Sequence, residues 1–129
     1  MDTLNDLPVL LCATQQEWEA WLAEHHAGSP GAWIKLAKKN SGVATVSYDE
    51  ALDSAICYGW IDTQVKAYDA ACYVQKFAPR RPKSAWSKTN LAKVAQLEAA
   101  GRLKPAGLRA VERTRRDELT QSAGDMPRD

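Results

Sequence analysis

Closely spaced cysteine pairs and long apolar runs are missing from this chain of 129 residues, and we expect no signal peptide. Its three cysteines, Cys12, Cys57 and Cys72, form no CxxC pair, which argues against a disulfide framework and a zinc site. We expect reduced, mostly buried thiols. The amino terminus lacks the positive flank of a signal peptide, and no stretch approaches the roughly 20 apolar residues that span a bilayer. We therefore expect a cytoplasmic protein without a membrane span.

The composition excludes two further classes of protein. Hydrophobic residues make up 45% of the chain and charged residues 26%, with a net charge of +1. Such a chain is neither disordered as a whole nor a uniformly basic nucleic-acid binder. Its length suits one core, so we predict a single domain over residues 1–120 and a disordered tail over residues 121–129.

Acidic residues are absent from one long segment. Residues 70–97 contain six Lys or Arg and no Asp or Glu, whereas residues 1–69 contain four Lys or Arg and ten Asp or Glu. In this basic segment Tyr73, Phe77 and Trp86 alternate with the cations, a mixture that can stack on planar groups and neutralise anions. The competing interpretation is a solvated charged surface, which is the usual role of a charge run.

Two capping boxes predict helix starts. Residues 14–17, Thr-Gln-Gln-Glu, can satisfy orphan amides reciprocally, and the apolar spacing that follows predicts a helix over residues 15–26. Residues 47–50, Ser-Tyr-Asp-Glu, predict a second helix through about Cys57, with Gly59 as its left-handed cap.

Two more helices are predicted towards the carboxyl terminus. Apolar residues at helical spacing indicate a helix that is capped by Ser84 or Ser87 and closes at Gly101. Pro105 suits the first turn of a final helix that reaches about Leu119.

Three strands are predicted between the helices. Residues 32–38 alternate as a half-buried strand, and residues 60–68 and 72–78 indicate an antiparallel hairpin. The order of elements predicts an α+β fold in which a small antiparallel sheet is packed by about four helices. Trp33, if exposed, and the strand 72–78, if it forms an edge, are the candidate contacts of a homodimer.

Four sequence blocks together resemble a known family. They are SYDEALD at residues 47–53, CYGWID at 57–62, FAPRRPKSAWSKTN at 77–90 and PAG at 105–107. In this order they resemble the YdeI/OmpD-associated family, also described as bacteriocin-protection proteins. The resemblance implies a protective role, and we do not expect the further carboxy-terminal helical segment of longer members.

The same blocks predict a ligand-binding site. The predicted helix, hairpin and helix would bring nine residues near one another: Tyr58, Trp60, Asp62, Arg80, Arg81, Ser84, Trp86, Ser87 and Asn90. In one interpretation the two tryptophans form apolar walls, while Asp62, Arg81 and Asn90 fix a polar ligand. In the other, Asp62 pairs with an arginine, the tryptophans are core, and the Ser and Asn side chains cap a helix.

Three functions stay open at this stage. The one we favour is a non-catalytic protein that acts in stress or antimicrobial protection or that binds a small anionic ligand or a peptide. The second is a nucleic-acid-binding module, which would require the cations of residues 70–97 to share one face. The third is a small enzyme that acts through Asp62, together with Tyr58 or Arg81, in a Trp-lined pocket.

The residue types that carry catalysis or bind metals are sparse. No nucleophile, base and acid set is visible, so we lean against an enzyme, and we predict neither a cofactor nor a metal site. His25 and His26 are adjacent on a predicted helix, where neighbouring side chains diverge by about 100° and do not easily share one ion. We expect them to be packed or solvated. Cys57, at a helix end, is expected to have a raised pKa.

Overall fold

A computed structural model describes residues 3–80 and 88–112 and shows an α+β fold. The strands are β1 Thr3–Leu4, β2 Leu7–Leu10, β3 Ala32–Ala37, β4 Trp60–Ala67 and β5 Cys72–Pro79. The helices are α1 Gln15–His25, α2 Tyr48–Cys57, α3 Lys88–Ala99 and α4, of which the structure describes residues 105–112. The α+β class and the predicted number of helices are confirmed.

The five strands form one mixed sheet in the order β1-β2-β3-β5-β4. The pairs β1–β2, β3–β5 and β4–β5 are antiparallel, whereas β2 and β3 are parallel. Helix α1 lies between β2 and β3 in the chain and makes the crossover that a parallel pair requires. The sequence prediction contained neither β1 nor β2, because a four-residue apolar run has too few positions to define a period.

The capping residues start α1 and α2 as predicted. Ser47 Oγ accepts a hydrogen bond from the amide of Glu50 at 3.1 Å, and the Glu50 carboxylate accepts one from the Ser47 amide at 3.0 Å. At α1, Thr14 Oγ1 accepts from the amide of Glu17 at 3.2 Å. In a capping box the Glu17 carboxylate would accept from the amide of Thr14. It accepts instead from the amide of the preceding residue, Ala13, at 2.6 Å.

The predicted hairpin is present, but its second strand does not form an edge. Strand β5 pairs with β3 on one side and with β4 on the other, so β4 is the edge strand. A register shift between Asp62 and Gln64 interrupts β4, and bulges of this kind make an edge strand a poorer template for further pairing. The homodimer contact suggested for residues 72–78 was therefore wrong.

The homodimer contact suggested for Trp33 was also wrong, because Trp33 is not exposed. Its side chain is 0% exposed and packs with Leu7, Val9 and Val74 on the sheet face opposite the helices. The Trp33 indole donates a hydrogen bond to the carbonyl of Leu4 at 2.9 Å. The amino-terminal strands, which the sequence did not reveal, thus help to bury Trp33 on a face of β3 where Lys35 and Ala37 stay partly exposed.

The main core lies between the sheet and the helices. Trp18, Trp21, Trp60 and Phe77 form its aromatic centre, with the Trp18 ring centroid 5.6 Å from those of Trp21 and Phe77. The Trp18 indole donates to the carbonyl of Ala51 at 2.9 Å, which ties α1 to α2. Aromatic pairs at these separations stabilise a core beyond the area that they bury.

Helix α3 ends close to the predicted residue. Gly101 has a φ of +70°, its amide donates to the carbonyl of Glu98, and the amide of Arg102 donates to the carbonyl of Leu97, the two bonds of a Schellman motif. The caps predicted at Ser84 or Ser87 lie outside the described residues. The same holds for the predicted end of α4 and for the tail. No helix within the described ranges is long and apolar enough to cross a membrane.

Candidate functional site

Two close backbone contacts fix the start of α4 against the end of α2. A Cβ atom on Gly107 would overlap the carbonyl oxygen of Cys57, and a Cβ on Gly59 would lie 2.9 Å from the carbonyl oxygen of Ala106. Gly59 also has a φ of +78°, a conformation that side chains disfavour. The amide of Lys104 donates to the Cys57 carbonyl at 2.9 Å. The CYGWID and PAG blocks therefore meet in space.

A surface cleft of about 380 Å³ opens beside this junction. The end of α1, the junction of α2 with β4, the end of β5 and helix α4 all contribute to its lining, which comprises His26, Ala27, Tyr58, Gly59, Trp60, Pro79, Arg80, Ala106, Arg109 and Glu112. Four separate parts of the chain thus build one concave surface, which is the usual form of a small-molecule site.

Two arginines contribute positive charge to the cleft. Arg80 is only 4% exposed, and its backbone amide donates to the carbonyl of Gly59 at 2.9 Å, which holds the end of β5 against the turn after α2. Arg109 is exposed on α4, and it forms no ion pair within the described ranges. Glu112, also exposed, supplies the one carboxylate of the described lining. The two arginines and this carboxylate sum to a charge of +1.

Two hydrogen-bonding rings lie side by side in the cleft. His26 Nδ1 is 2.7 Å from the carbonyl oxygen of Leu22, a geometry in which Nδ1 donates to that oxygen and Nε2 is the ring nitrogen not engaged in this bond. The centroid of the Tyr58 ring is 5.0 Å from that of His26. Burial, and then the charge of Glu19, raise the pKa of Tyr58, so the phenol stays a donor at neutral pH.

The wall of the cleft is rigid because it is part of the aromatic core. Trp60 is 1% exposed, and its ring centroid lies 5.8 Å from that of Trp21 and 6.3 Å from that of Trp18, both in edge-to-face geometry. Packing of this kind holds neighbouring backbone in place, so the polar groups beside Trp60 are preorganised.

A family model described as a domain of unknown function, DUF8412, matches residues 10–110. The chain belongs to this family. The match runs from the last residue of β2 into α4 and includes every cleft residue except Glu112. No curated protein and no solved structure matches the chain. The DUF8412 description names no activity, and the resemblance to the YdeI/OmpD-associated family stays a prediction.

The structure of this DUF8412 domain divides the nine predicted site residues into three groups. Tyr58, Trp60 and Arg80 line the cleft. Asp62 and Asn90 do not, Asn90 being buried on α3 with 7% exposure. The other four predicted residues, Arg81, Ser84, Trp86 and Ser87, lie outside the described residues.

Asp62 bonds to a tyrosine in the structure, whereas one interpretation of the sequence paired it with an arginine. Its carboxylate accepts a hydrogen bond of 2.6 Å from the hydroxyl of Tyr48 on α2, and it makes no ion pair with Arg80. Burial and then this hydrogen bond raise the pKa of Tyr48. Asp62 therefore links the edge strand to α2, away from the cleft.

Sequence reasoning missed the contributions of α1 and α4 to the site. The sequence predicts His26 as a packed or solvated helix end, and Ala106, Arg109 and Glu112 are not among the predicted site residues. These residues are separated from His26 by 80 positions or more, and only the packing of α4 at Gly107 brings them together. The PAG block, which ends two residues before Arg109, was the one signal that pointed to this helix.

Three cations of the basic segment have side chains that the structure describes, and these lie in three different places. Lys76 lies on the sheet face opposite the helices, and Arg80 lines the cleft. Lys93 forms ion pairs with Asp53 at 2.9 Å and with Asp49 at 3.7 Å, in the helical layer. These three residues do not form the continuous strip that the nucleic-acid hypothesis for residues 70–97 requires.

The cysteines are poor nucleophiles in this structure. Burial is the main cause that raises the pKa of the Cys57 thiol to about 11, in the direction predicted from its place at a helix end. The pKa of Cys12 is raised to about 11 by burial and by Glu17. Across the described residues, no three His, Cys, Asp or Glu side chains are grouped to hold a metal ion.

Proposed function

We propose that this DUF8412 domain binds a small anionic molecule in the cleft between α1, α4 and the ends of the hairpin, without catalysing a reaction. The observation that carries the proposal is the convergence of Arg80 and Arg109 with the Tyr58 hydroxyl on one rigid concave surface. Guanidinium groups bind carboxylates and phosphates through two parallel hydrogen bonds, and a phenol adds a third donor.

The size of the cleft favours a small ligand. Its volume of about 380 Å³ is near the lower end of the range of about 300–1,000 Å³ that ligand pockets occupy. A metabolite with a phosphate or carboxylate group fits this volume, whereas a folded partner or a duplex does not. Glu112 at the rim favours a ligand that also carries a hydrogen-bond donor, such as a hydroxyl or an amino group.

A binding role agrees better with these residues than a catalytic one. The carboxylate proposed for catalysis, Asp62, is bonded to Tyr48 outside the cleft. Glu112 is solvent-exposed, without the burial that tunes a general acid or base. The resemblance to the YdeI/OmpD-associated family also supports a protective role, which a protein can exert by sequestering a ligand.

A thermal-shift panel tests the proposal. The full chain would be melted with inorganic phosphate, citrate, acidic amino acids and nucleoside monophosphates at constant ionic strength. A ligand selective for the native state, at 100 times its Kd, adds about 2.7 kcal/mol to the free energy of unfolding and raises the Tm. We expect at least one of these anions to do so.

Three variants locate the site. Arg109→Ala removes a charge-assisted hydrogen bond of about 1.5–3 kcal/mol, so the Kd should rise by about 10- to 100-fold. Ala27→Trp fills the cleft without changing its charge and should also weaken binding. Lys39→Ala, the matched control, removes one exposed cation beyond the end of β3 and should bind like the wild type. A panel without any stabilising anion, or full affinity in both cleft variants, would contradict the proposal.

A further inference from the structure

Two helices and the three longest strands of this fold carry charges of opposite sign. Helices α1 and α2 carry acidic residues and no Lys or Arg; the acids are Glu17, Glu19, Glu24, Asp49, Glu50 and Asp53. The three strands β3, β4 and β5 carry Lys35, Lys66 and Lys76 and one acid, Asp62. Asp62 bonds to Tyr48 of α2, so its carboxylate belongs to the helical side.

The strand register places all three lysines on the sheet face opposite the helices. Directly paired residues of neighbouring strands point to the same face of a sheet. Val74, which packs on the open face, pairs with Lys35 on β3 and with Lys66 on β4. Lys76 pairs with Trp33, which packs on the same face. Within the described strands, this open face therefore has three ammonium groups and no carboxylate.

Aromatic rings hold two of these lysines in place. The ammonium group of Lys66 lies 5.7 Å from the centroid of the Trp33 ring, and that of Lys35 lies 5.0 Å from the Tyr68 ring. A cation over an aromatic face is attracted by about 0.5–1 kcal/mol at exposed sites. These lysines therefore lose less conformational freedom on binding an anion than freely rotating surface lysines do.

The lysines form a compact triangle. Lys35 and Lys66 belong to one row across three strands, which separates their Cα atoms by about 10 Å. Lys76 lies one row further along, about 7 Å along the strand direction, so it is about 8 Å from each of the other two. Asp69, in the hairpin turn, adjoins Lys35; two backbone hydrogen bonds and then the lysine charges lower its pKa.

We propose that the open sheet face binds the phosphate backbone of a single-stranded nucleic acid, independently of base sequence. Three half-buried lysines, two of them held over aromatic rings, complement the phosphates of such a strand, and the one nearby carboxylate of the described residues, Asp69, adjoins Lys35 at the edge of the face. The face is a poor membrane anchor, because its apolar residues Trp33 and Val74 are 0% exposed and cannot insert between lipids.

This surface is separate from the cleft, and it shares only Lys76 with the basic segment 70–97. Two of its three lysines, Lys35 and Lys66, lie outside that segment in the sequence. The cleft lies on the helical side, where Arg80 and Arg109 supply the charge. Loss of binding on one surface therefore leaves the other unaffected, and the two proposals can fail independently.

Fluorescence anisotropy with labelled oligo(dT) and oligo(U) tests the proposal on the full chain. Neutralisation of three phosphates predicts a slope of about −2 for log K against log salt, since each contributes about −0.7 on a single strand. Replacing all three lysines, K35Q/K66Q/K76Q, should weaken binding at least tenfold at low salt. The matched variant K39Q/R102Q/K104Q removes the same charge from residues beyond the end of β3 and in the helical layer, and it should retain the affinity.

A second measurement guards against a folding defect in the triple variant. In an NMR titration of the ¹⁵N-labelled wild type with oligo(dT), shifts should concentrate on residues 33–37 and 64–76 and spare α1 and α2. The proposal is overturned by an absence of binding at low salt, by equal affinity in the two triple variants, or by shifts confined to the helical layer. Binding to vesicles of anionic lipid without binding to either oligonucleotide would also overturn it.

Discussion

At the scale of single residues, the position of α4 rests on one glycine. The backbone of Gly107 approaches the carbonyl of Cys57 so closely that no side chain fits between them. This contact sets where Ala106 and Arg109 stand relative to Tyr58 and Trp60, and hence the shape of the cleft. A glycine is required here by the approach of two backbones rather than by an unusual φ.

We expect Gly107→Ala to destabilise the protein strongly. The added methyl group meets backbone that cannot rotate away, and overpacking of this kind costs about 1–3 kcal/mol or more. Gly28→Ala is the matched control, because nothing lies within 4 Å of a Cβ atom at that position. Urea denaturation should show a change within about 0.5 kcal/mol for Gly28→Ala. Equal midpoints for the two variants would mean that α4 does not pack at Gly107.

The buried thiols predict a loss of stability in alkali. Burial raises the pKa of Cys12 and Cys57 from 9.0 to about 11, so the unfolded chain loses these protons first. Their contribution to the free energy of unfolding is complete below about pH 9 and is lost as the pH rises towards 11. Urea denaturation at about pH 8 and about pH 10 should therefore show a steeper fall for the wild type than for C12A/C57A. Parallel falls in the two proteins would contradict this assignment.

Residues with a local role were easier to predict than residues with a long-range one. Ser47 and Gly59 act on backbone within a few positions, and both were identified from the sequence. The burial of Trp33 depends on Leu4 and on the amino-terminal strands, and the role of Arg109 depends on a contact with the end of α2. Neither dependence leaves a local pattern in the sequence.

At the scale of elements, α2 connects most parts of the molecule. Its first turn is capped by Ser47, and the adjacent Tyr48 reaches the edge strand at Asp62. On its outer side Asp53 pairs with Lys93 of α3, and this bond is the main cause that raises the pKa of the lysine. Loss of order in α2 would therefore affect β4 and α3 together.

We expect the cap of α2 to contribute measurably to stability. Ser47→Ala removes the acceptor for the Glu50 amide and should lower the free energy of unfolding by about 0.5–2 kcal/mol. Ser47→Thr keeps a hydroxyl in the same place and should cost much less. Urea denaturation distinguishes the two variants. If both lose the same amount, the hydroxyl is not the group that caps the helix.

The sequence predicted elements with a clear period and failed on the shortest ones. Helices α1 and α2 and the hairpin β4–β5 were placed within one or two residues of their observed bounds. Strands β1 and β2, of two and four residues, were missed, and the parallel pairing of β2 with β3 was missed with them. Strands this short are specified by the neighbours with which they pair, and a single sequence does not show those neighbours.

At the scale of the whole molecule, the fold presents two separate cationic surfaces. The cleft on the helical side concentrates two arginines beside a rigid aromatic wall, and the open sheet face spreads three lysines over a flat area. A small cleft suits a metabolite, whereas a flat basic face suits a polymer of phosphates.

About a third of the nine site residues predicted from the sequence line the cleft. Tyr58, Trp60 and Arg80 belong to blocks that meet at the cleft, so proximity along the chain was enough to find them. His26 and Arg109 come from opposite ends of the chain. From the sequence alone, each side chain could equally lie on a solvated helix surface. Packing decides such cases, because it determines which exposed charges converge.

The most direct test of the central claim is an NMR titration of the ¹⁵N-labelled full chain with inorganic phosphate, citrate and a nucleoside monophosphate in turn. At least one anion should give saturating shifts of the amides at Gly59, Trp60, Arg80 and Arg109, and Arg109→Ala should abolish the saturation. Shifts that do not saturate with any of the three, or that saturate only on the open sheet face, would contradict the assignment of the cleft as the binding site for a small anion.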